Sequence, residues 1–342
     1  MKRAFLAAFM AVLLALGAAG CGGSGNGSGA GTGPAAADQG GEGRLQVVAT
    51  VFPCYDFARQ TAGDAADVRM LLKPGEEIHS YEPTPSDIRS IQNCDLFIYV
   101  GGENDEWVEG ILENMGEDAP KTFVLTEEVE TVEEEIVEGM QEGAGHDHEE
   151  AGHAGDSSEA EHAEADEHVW TSPVNAAQLT DRIAARMEAL DPANAPAYRA
   201  NAEAYREEIL ALDAEIEEIV EGSTGRTLIF GDRFPLRYFA DRYGLRYYAA
   251  FPGCSAESEV SASTIAFLIG KVREEKIPVV FSIEFSNGNI ARSICEATGA
   301  EQKMFHSCHN VTAQELEAGE TYVSLMRGNL EGLRAALGNG DE

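Results

Sequence analysis

Short apolar runs alternate with amphipathic stretches along most of this 342-residue chain, and this alternation limits the folds open to it. The first half has strand-like runs at "LQVVATVF", "DVRMLL", "DLFIYVGG" and "KTFVLT", with helical patterns between them, and four more strand-like runs follow from Arg226. Strands separated by helices form parallel sheets with right-handed crossovers. The sequence therefore predicts an α/β fold with two lobes, each a mostly parallel four-stranded sheet flanked by helices.

A long helical segment separates the two alternating halves. Apolar residues recur at a spacing of three and four from Ala197 to Glu221, which predicts a helix about 35 Å long. We interpret it as a rigid helix that joins the lobes, with an ordinary core helix as the alternative. A final amphipathic helix is predicted from about Gln314 to Leu337.

The N-terminus has the features of an export signal. A positively charged start and an apolar run from Phe5 to Ala19 predict a signal peptide over residues 1–20. Cys21 follows small residues and resembles a bacterial lipoprotein processing site, at which it would become lipidated; an incidental cysteine is the alternative. Residues 21–44 therefore predict a lipidated cysteine and a flexible Gly/Ser/Ala tether.

The net charge of −36 argues against a nucleic-acid partner. Residues 127–167 hold 17 acidic residues, no lysine and no arginine. Their lack of periodicity predicts a mobile loop. We place this loop within an N-terminal α/β lobe over residues 45–172, followed by linking helices over residues 173–222 and a C-terminal α/β lobe over residues 223–342.

Histidines and an acid follow several of the predicted strands. His79 follows the second strand, Glu284 ends the seventh, and His306 and His309 end the eighth, while His168 lies where the acidic loop stops. Ligands bind outside the carboxyl ends of the strands in open α/β sheets. Imidazole and carboxylate groups suit zinc, or manganese when oxygen donors dominate. These residues therefore predict a metal site in the cleft between the lobes.

Two loops of the chain are long and specific, "LLKPGEEIHSYEPTPSDI" around His79 and "DEHVWTSPVNA" around His168. With these loops, the chain from Leu45 onward resembles the zinc and manganese substrate-binding lipoproteins of bacterial ABC importers. The two loops resemble the first and second metal-ligand loops of that family, which implies His79 and His168 as ligands. "RYFADRYGLRYY" and "TYVSLMRGNLEGL" also match. Glu284 fits the usual acidic ligand after a one-residue shift.

The chain departs from the family at the third ligand. The family has a histidine at the end of the fifth strand, where this chain has Gly231 followed by Asp232. We expect His306 or His309 to replace it, with Asp232, a water or a cysteine as alternatives. Two or three histidines with one acid favour Zn²⁺ over Mn²⁺.

Five cysteines remain after Cys21, so at least one is left over from any intramolecular pairing. Cys254 and Cys308 follow strands that would face the same cleft. They predict a possible disulfide that braces the substitute ligand, or a soft zinc ligand from one of them.

Four more histidines lie within the acidic loop, and the resemblance implies an accessory metal-gathering role for them. These residues are His146, His148, His153 and His162. The alternative is a solvated acidic loop in which they are incidental.

The resemblance implies a monomeric receptor, lipid-anchored on the extracytoplasmic face of the bacterial membrane, that delivers Zn²⁺ to an ABC permease and ATPase. An enzyme is not expected, because the chain has no HExxH motif and no nucleophile elbow. The remaining alternatives are a manganese-specific receptor and a surface lipoprotein that buffers metal or acts as an adhesin.

Overall fold

The computed structural model describes residues 43–76, 81–102, 105–140, 165–255 and 259–338. Its first sheet is parallel throughout, with the strand order β2-β1-β3-β4. The strands are β1 (Leu45–Ala49), β2 (Ala66–Met70), β3 (Leu96–Tyr99) and β4 (Lys121–Val124). The helices are α1 (Phe52–Ala62), α2 (Pro85–Gln92) and α3 (Glu106–Met115).

The second sheet repeats this arrangement, with the parallel order β6-β5-β7-β8. Its strands are β5 (Thr227–Phe234), β6 (Arg246–Pro252), β7 (Val279–Ile283) and β8 (Glu301–Phe305). Its helices are α6 (Arg237–Tyr243), α7 (Ala262–Glu275) and α8 (Asn289–Thr298). The predicted fold class, two four-stranded parallel sheets flanked by helices, is confirmed.

Two helices connect the sheets, α4 (Pro173–Leu190) and α5 (Ala195–Glu221). Ser172 caps α4, because its side chain accepts a hydrogen bond from the backbone N–H of Asn175. The 27 residues of α5 span about 40 Å. Buried apolar side chains of α5 belong to one continuous core that also includes residues of both sheets. The long helix therefore links the two sheets and is also a core helix.

The C-terminal segment is not the single helix that its amphipathic pattern predicts. It forms α9 (Ala313–Ala318), α10 (Tyr322–Gly328) and α11 (Leu330–Leu337). Gly319 ends α9 in the left-handed conformation, with φ of 76°. Thr321 then starts α10 with a capping box. These end signals override an apolar periodicity that runs through all three helices.

The expectation of a mobile acidic loop is wrong for residues 128–140, which have defined contacts with the second half of the chain. The backbone N–H of Val132 donates to the hydroxyl of Tyr238 over 3.2 Å, and that hydroxyl donates to the Asp166 carbonyl over 2.6 Å. Glu133 and Ala165 form an antiparallel bridge. Periodicity could not show this order, because it depends on side chains far away in the sequence.

Within the ranges described above, no helix is both long enough and apolar enough to cross a membrane. The predicted signal peptide and Cys21 lie outside the described residues.

Candidate metal site

The loops that follow β7 and β8 and the segment that precedes α4 meet at a small cavity of about 30 Å³. Its polar lining residues are Glu76, His168, Arg233, Glu284, Ser307, His309 and Asn310. Three of the predicted ligands, His168, Glu284 and His309, therefore come together here.

His168 lies in a short turn before α4 and is fully buried, with a relative exposure of 0%. Asp166 Oδ1 accepts a hydrogen bond from the His168 backbone N–H over 2.8 Å and lies 3.0 Å from His168 Nδ1. Because a carboxylate oxygen accepts, Nδ1 carries the hydrogen of the neutral ring and Nε2 keeps its lone pair. Nε2 is buried without a hydrogen-bond partner. A metal ion in the cavity would satisfy it, and Asp166 would hold the ring in the metal-accepting tautomer.

The acidic neighbours of His168 also change its proton affinity. Burial lowers the pKa of His168, but the carboxylates of Asp166, Glu167 and Glu134 raise it by more, so the pKa is raised overall. The same carboxylates favour a divalent cation. Protons and metal therefore compete for this imidazole.

Glu284 follows β7, and its carboxylate is held by the loop after β8. Oε2 accepts from the Ser307 backbone N–H over 2.8 Å, and Oε1 accepts from the Ser307 hydroxyl over 2.6 Å and from the His309 N–H over 3.2 Å. Phe285 and Cys308 both have a left-handed φ, near 60°. Such backbone positions are uncommon for residues other than glycine and often occur at functional sites.

The imidazole of His309 packs against that of His168, with ring centroids 5.5 Å apart. The indole of Trp170 contacts both rings, at centroid distances of 5.4 and 5.2 Å. Trp170 Nε1 also donates to the Ser307 carbonyl over 2.9 Å. Trp170 therefore fixes the two imidazoles and joins their segments. Trp170 was not among the predicted site residues, and its place two residues after His168 was the available signal.

His306 is held differently. Its Nδ1 accepts from the Cys308 N–H over 2.9 Å and lies 3.7 Å from Glu284 Oε1. Its Nε2 is also buried without a hydrogen-bond partner, 4.0 Å from Glu315 Oε1. The Asn329 side chain accepts from the His306 N–H and donates to the His306 carbonyl. His306 is buried but does not line the cavity. Of the two histidines in "FHSCHN", the structure thus brings His309 to the cavity.

The end of β5 also differs from the sequence interpretation. Gly231 is not at the cavity, because a Cβ there would lie 2.4 Å from the Ala291 Cα in α8. Asp232 accepts from the N–H groups of Arg233 and Ile283, and burial raises its pKa. The strand continues to Phe234, so Arg233 is the β5 residue that lines the cavity. Near the end of β5, where the family has a histidine ligand, the residue of this chain that lines the cavity is therefore an arginine.

The possible disulfide between Cys254 and Cys308 is not formed, because both are free thiols in separate surroundings. Cys254 Sγ lies 3.8 Å from Glu167 Oε1. Burial, followed by the charges of Glu167 and Glu134, raises the pKa of the Cys254 thiol. Cys308 is fully buried, and burial together with the charge of Glu284 raises the pKa of its thiol.

Other predicted site residues lie outside the described residues. His79 belongs to residues 77–80, although Glu76, directly before them, lines the cavity. Asn310 Nδ2 donates to the carbonyls of Lys73 and Glu76, which ties the start of this loop to the loop after β8. The accessory histidines His146, His148, His153 and His162 also lie outside the described residues.

The fold and the site define a class: a two-sheet α/β binding protein with imidazole and carboxylate groups around an interior cavity. The family model described as "Zinc-uptake complex component A periplasmic" matches residues 47–336. The chain belongs to this family.

Named relatives agree with this assignment. The zinc-binding lipoprotein AdcA of Streptococcus pneumoniae is 31% identical over 293 residues, which cover 86% of this chain and 56% of that protein. The chain thus spans little more than half the length of that relative. The high-affinity zinc uptake system protein ZnuA of Bacillus subtilis is 29% identical over 311 residues, covering 88% of this chain and 90% of that protein.

A solved structure shows the same architecture. The Zn(II)-bound ZnuA-like domain of Streptococcus pneumoniae AdcA superposes with a TM-score of 0.70 at 27% identity, covering 87% of this chain and all of that domain. The match to one domain of AdcA explains why the chain covers only part of the whole relative.

Proposed function

We propose that the chain is a lipid-anchored extracytoplasmic receptor that binds Zn²⁺ and delivers it to an ABC permease and its ATPase. The observation that carries this proposal is the buried Nε2 of His168, which lacks a hydrogen-bond partner and belongs to a cavity shared with Glu284 and His309. Buried polar atoms without partners are rare in folded proteins, and a metal ion is one explanation for them. Family membership and the zinc-bound relative give independent support.

In this proposal His168, His309 and Glu284 are ligands, and His79 is the fourth. His309 replaces the histidine that the chain lacks near the end of β5. Asn310 and Glu76 support the placement of His79, because they connect the cavity to the start of its loop. Three imidazoles and one carboxylate would form a tetrahedral, nitrogen-rich set, which favours zinc over manganese.

In the receptor that we propose, Cys21 carries the lipid and the loop histidines gather metal weakly. The protein acts as a monomer without catalytic activity. The acidic surroundings of the cavity support cation capture, because carboxylates raise the local concentration of cations.

A paired substitution tests the ligand assignment. We expect His309→Ala to weaken zinc binding by about 100-fold or more, since even residues that only support a ligand change metal affinity by 10–100-fold. His306→Ala removes an imidazole from the same loop and should leave zinc affinity within a few-fold of the parent. Competition against a zinc chelator measures both, and circular dichroism checks that each variant folds.

Different results would overturn the assignment of His309 as a ligand and the choice of zinc as the bound metal. Weaker binding in His306→Ala alone would overturn the assignment of His309. A parent protein that binds Mn²⁺ tightly and Zn²⁺ weakly would overturn the zinc receptor in favour of a manganese receptor.

A further inference from the structure

Two further ligand-type side chains lie beside His168, outside the set described above. Glu167, His168 and Cys254 each offer one ligand atom, and these atoms all lie within 4.8 Å of one another. Glu167 is buried with a relative exposure of 3%, and Cys254 is half-buried. Neither Glu167 nor Cys254 lines the cavity. The imidazole of His168 thus lies between two groups of donors.

The spacing of these atoms suits a small divalent cation. A tetrahedral zinc ion with bonds of 2.0–2.3 Å holds its donor atoms about 3.5 Å apart. Cys254 Sγ and Glu167 Oε1 are already 3.8 Å apart. The largest separation exceeds that of a tetrahedral ion by about 1.3 Å at most, which side-chain rotation can supply. The cluster therefore needs no backbone rearrangement to close on a metal.

The backbone before Cys254 passes unusually close to the His168 ring. A Cβ at Gly253 would lie 3.2 Å from His168 Cε1, the carbon between the two ring nitrogens. Glycine permits this approach and places the next residue, Cys254, beside the ring. His168 itself provides an independent indication of a ligand, because its buried Nε2 has no hydrogen-bond partner.

We propose that Glu167, His168 and Cys254 form a sulfur-containing zinc position beside the cavity. It shares His168 with the position formed by Glu284 and His309, so one ion occupies one position or the other. The inference rests on the proposed function, since it concerns the same cargo. As the sulfur–metal bond forms, the Cys254 thiol releases its proton to solvent.

The sulfur ligand has a consequence for metal choice. Thiolates favour zinc and other soft or borderline metals over manganese, which prefers oxygen donors. Cys254 therefore adds to the selectivity for zinc that the imidazole ligands of the main position provide. Two positions around one imidazole also allow zinc to enter and leave by exchanging ligands in steps.

Cobalt spectroscopy on the full chain tests this proposal. Co²⁺ replaces Zn²⁺ in such sites, and a thiolate ligand gives a near-ultraviolet sulfur-to-cobalt charge-transfer band. We expect the band in the parent protein, its loss in Cys254→Ser, and its retention in Cys295→Ser. Cys295 is the matched control, because it is a half-buried free thiol on α8. Excess Zn²⁺ should remove the band.

A second variant covers the possibility that Cys254→Ser fails to fold. Glu167→Gln keeps the thiol but removes an anionic donor. The Co²⁺ concentration needed to form the band should therefore be at least about tenfold higher in this variant than in the parent. Zinc affinity should fall in both variants, whereas manganese affinity should change by less than about threefold.

Three results would overturn the inference. They are a band that survives Cys254→Ser, a parent that binds zinc tightly but shows no band, and equal losses of zinc and manganese affinity. The proposed function survives each of them. A parent that binds no zinc would instead overturn the proposed function, and this inference with it.

Discussion

Asp166 orients the imidazole of His168, and we predict that its charge tunes metal binding. Asp166→Asn keeps an oxygen that can accept from Nδ1 but removes the negative charge, so zinc affinity should fall by about 10–100-fold. The charge of Asp166 helps to raise the pKa of His168. Zinc binding should therefore weaken on acidification at a lower pH in the variant than in the parent. Zinc titrations between pH 5 and 8 measure both effects.

Asp181→Asn is the matched control for this experiment. Asp181 is an exposed carboxylate on α4 that pairs with Arg206. Its substitution should leave zinc affinity and its pH dependence unchanged. An Asp166→Asn variant that binds zinc like the control would contradict the positioning role of Asp166.

Asp105 provides a prediction for stability rather than binding. Burial raises its pKa to about 6, although the N–H groups of Gly101 and Val100 favour the charged form. The folded chain therefore holds this proton more tightly than the unfolded chain, so the contribution to stability falls as pH rises from about 4 to about 6. The Asp105→Asn variant does not lose stability in this way, because its amide does not titrate. Its free energy of unfolding should gain about 2 kcal/mol on the parent between pH 4 and pH 7.

Urea unfolding at both pH values measures this difference. Asp118→Asn changes an exposed carboxylate and should follow the parent at both. Parallel behaviour of the parent and Asp105→Asn would contradict the prediction.

At the scale of elements, β5 depends on close contact with α8. Gly231 has no room for a side chain, since a Cβ would lie 2.4 Å from the Ala291 Cα. Gly231→Ala should cost about 2 kcal/mol or more, as expected for overpacking against backbone. Gly270→Ala, on α7 with open space around it, should be neutral or stabilising by up to about 1 kcal/mol. Denaturant unfolding of the two variants measures both, and equal stability would contradict the packing argument.

Local patterns predicted the elements of the fold better than their ends. Apolar runs and helical spacing predicted both parallel sheets, because burial imposes a period on each element. They did not show that β5 continues to Phe234 or that Gly319 interrupts the last helical segment. A strand end depends on its partner strands, and an amphipathic period continues through a cap when neighbouring helices bury the same face.

The sequence predicted the types of ligand at the site better than the orientation of the individual side chains. The end of the acidic loop and the family resemblance predicted His168. The strand-end rule predicted a cleft with His79, Glu284 and one of the two histidines His306 and His309. It could not separate His306 from His309, because the left-handed turn at Cys308 and the hydrogen bonds of Asn329 orient the two side chains. It also missed Arg233 and Trp170, whose positions depend on contacts between distant segments.

For the whole molecule, we predict that the loop histidines and the interior site act separately. Replacing His146, His148, His153 and His162 with asparagine should leave one tight zinc per chain and remove weaker binding. His168 and Glu284 are held by hydrogen bonds to residues outside the loop histidines' segment, so they do not need that segment. Calorimetry with Zn²⁺ measures both classes, and loss of the tight zinc in this variant would show that the loop forms the main site.

The location of bound zinc decides whether His168 is a zinc ligand. Anomalous diffraction at the zinc absorption edge, from crystals of the zinc-loaded chain, would place the ion. We expect one strong peak about 2.0–2.1 Å from a ring nitrogen of His168, with its other ligands drawn from the residues proposed here. A strong peak bound by His306, or by loop histidines with His168 unligated, would contradict this ligand assignment.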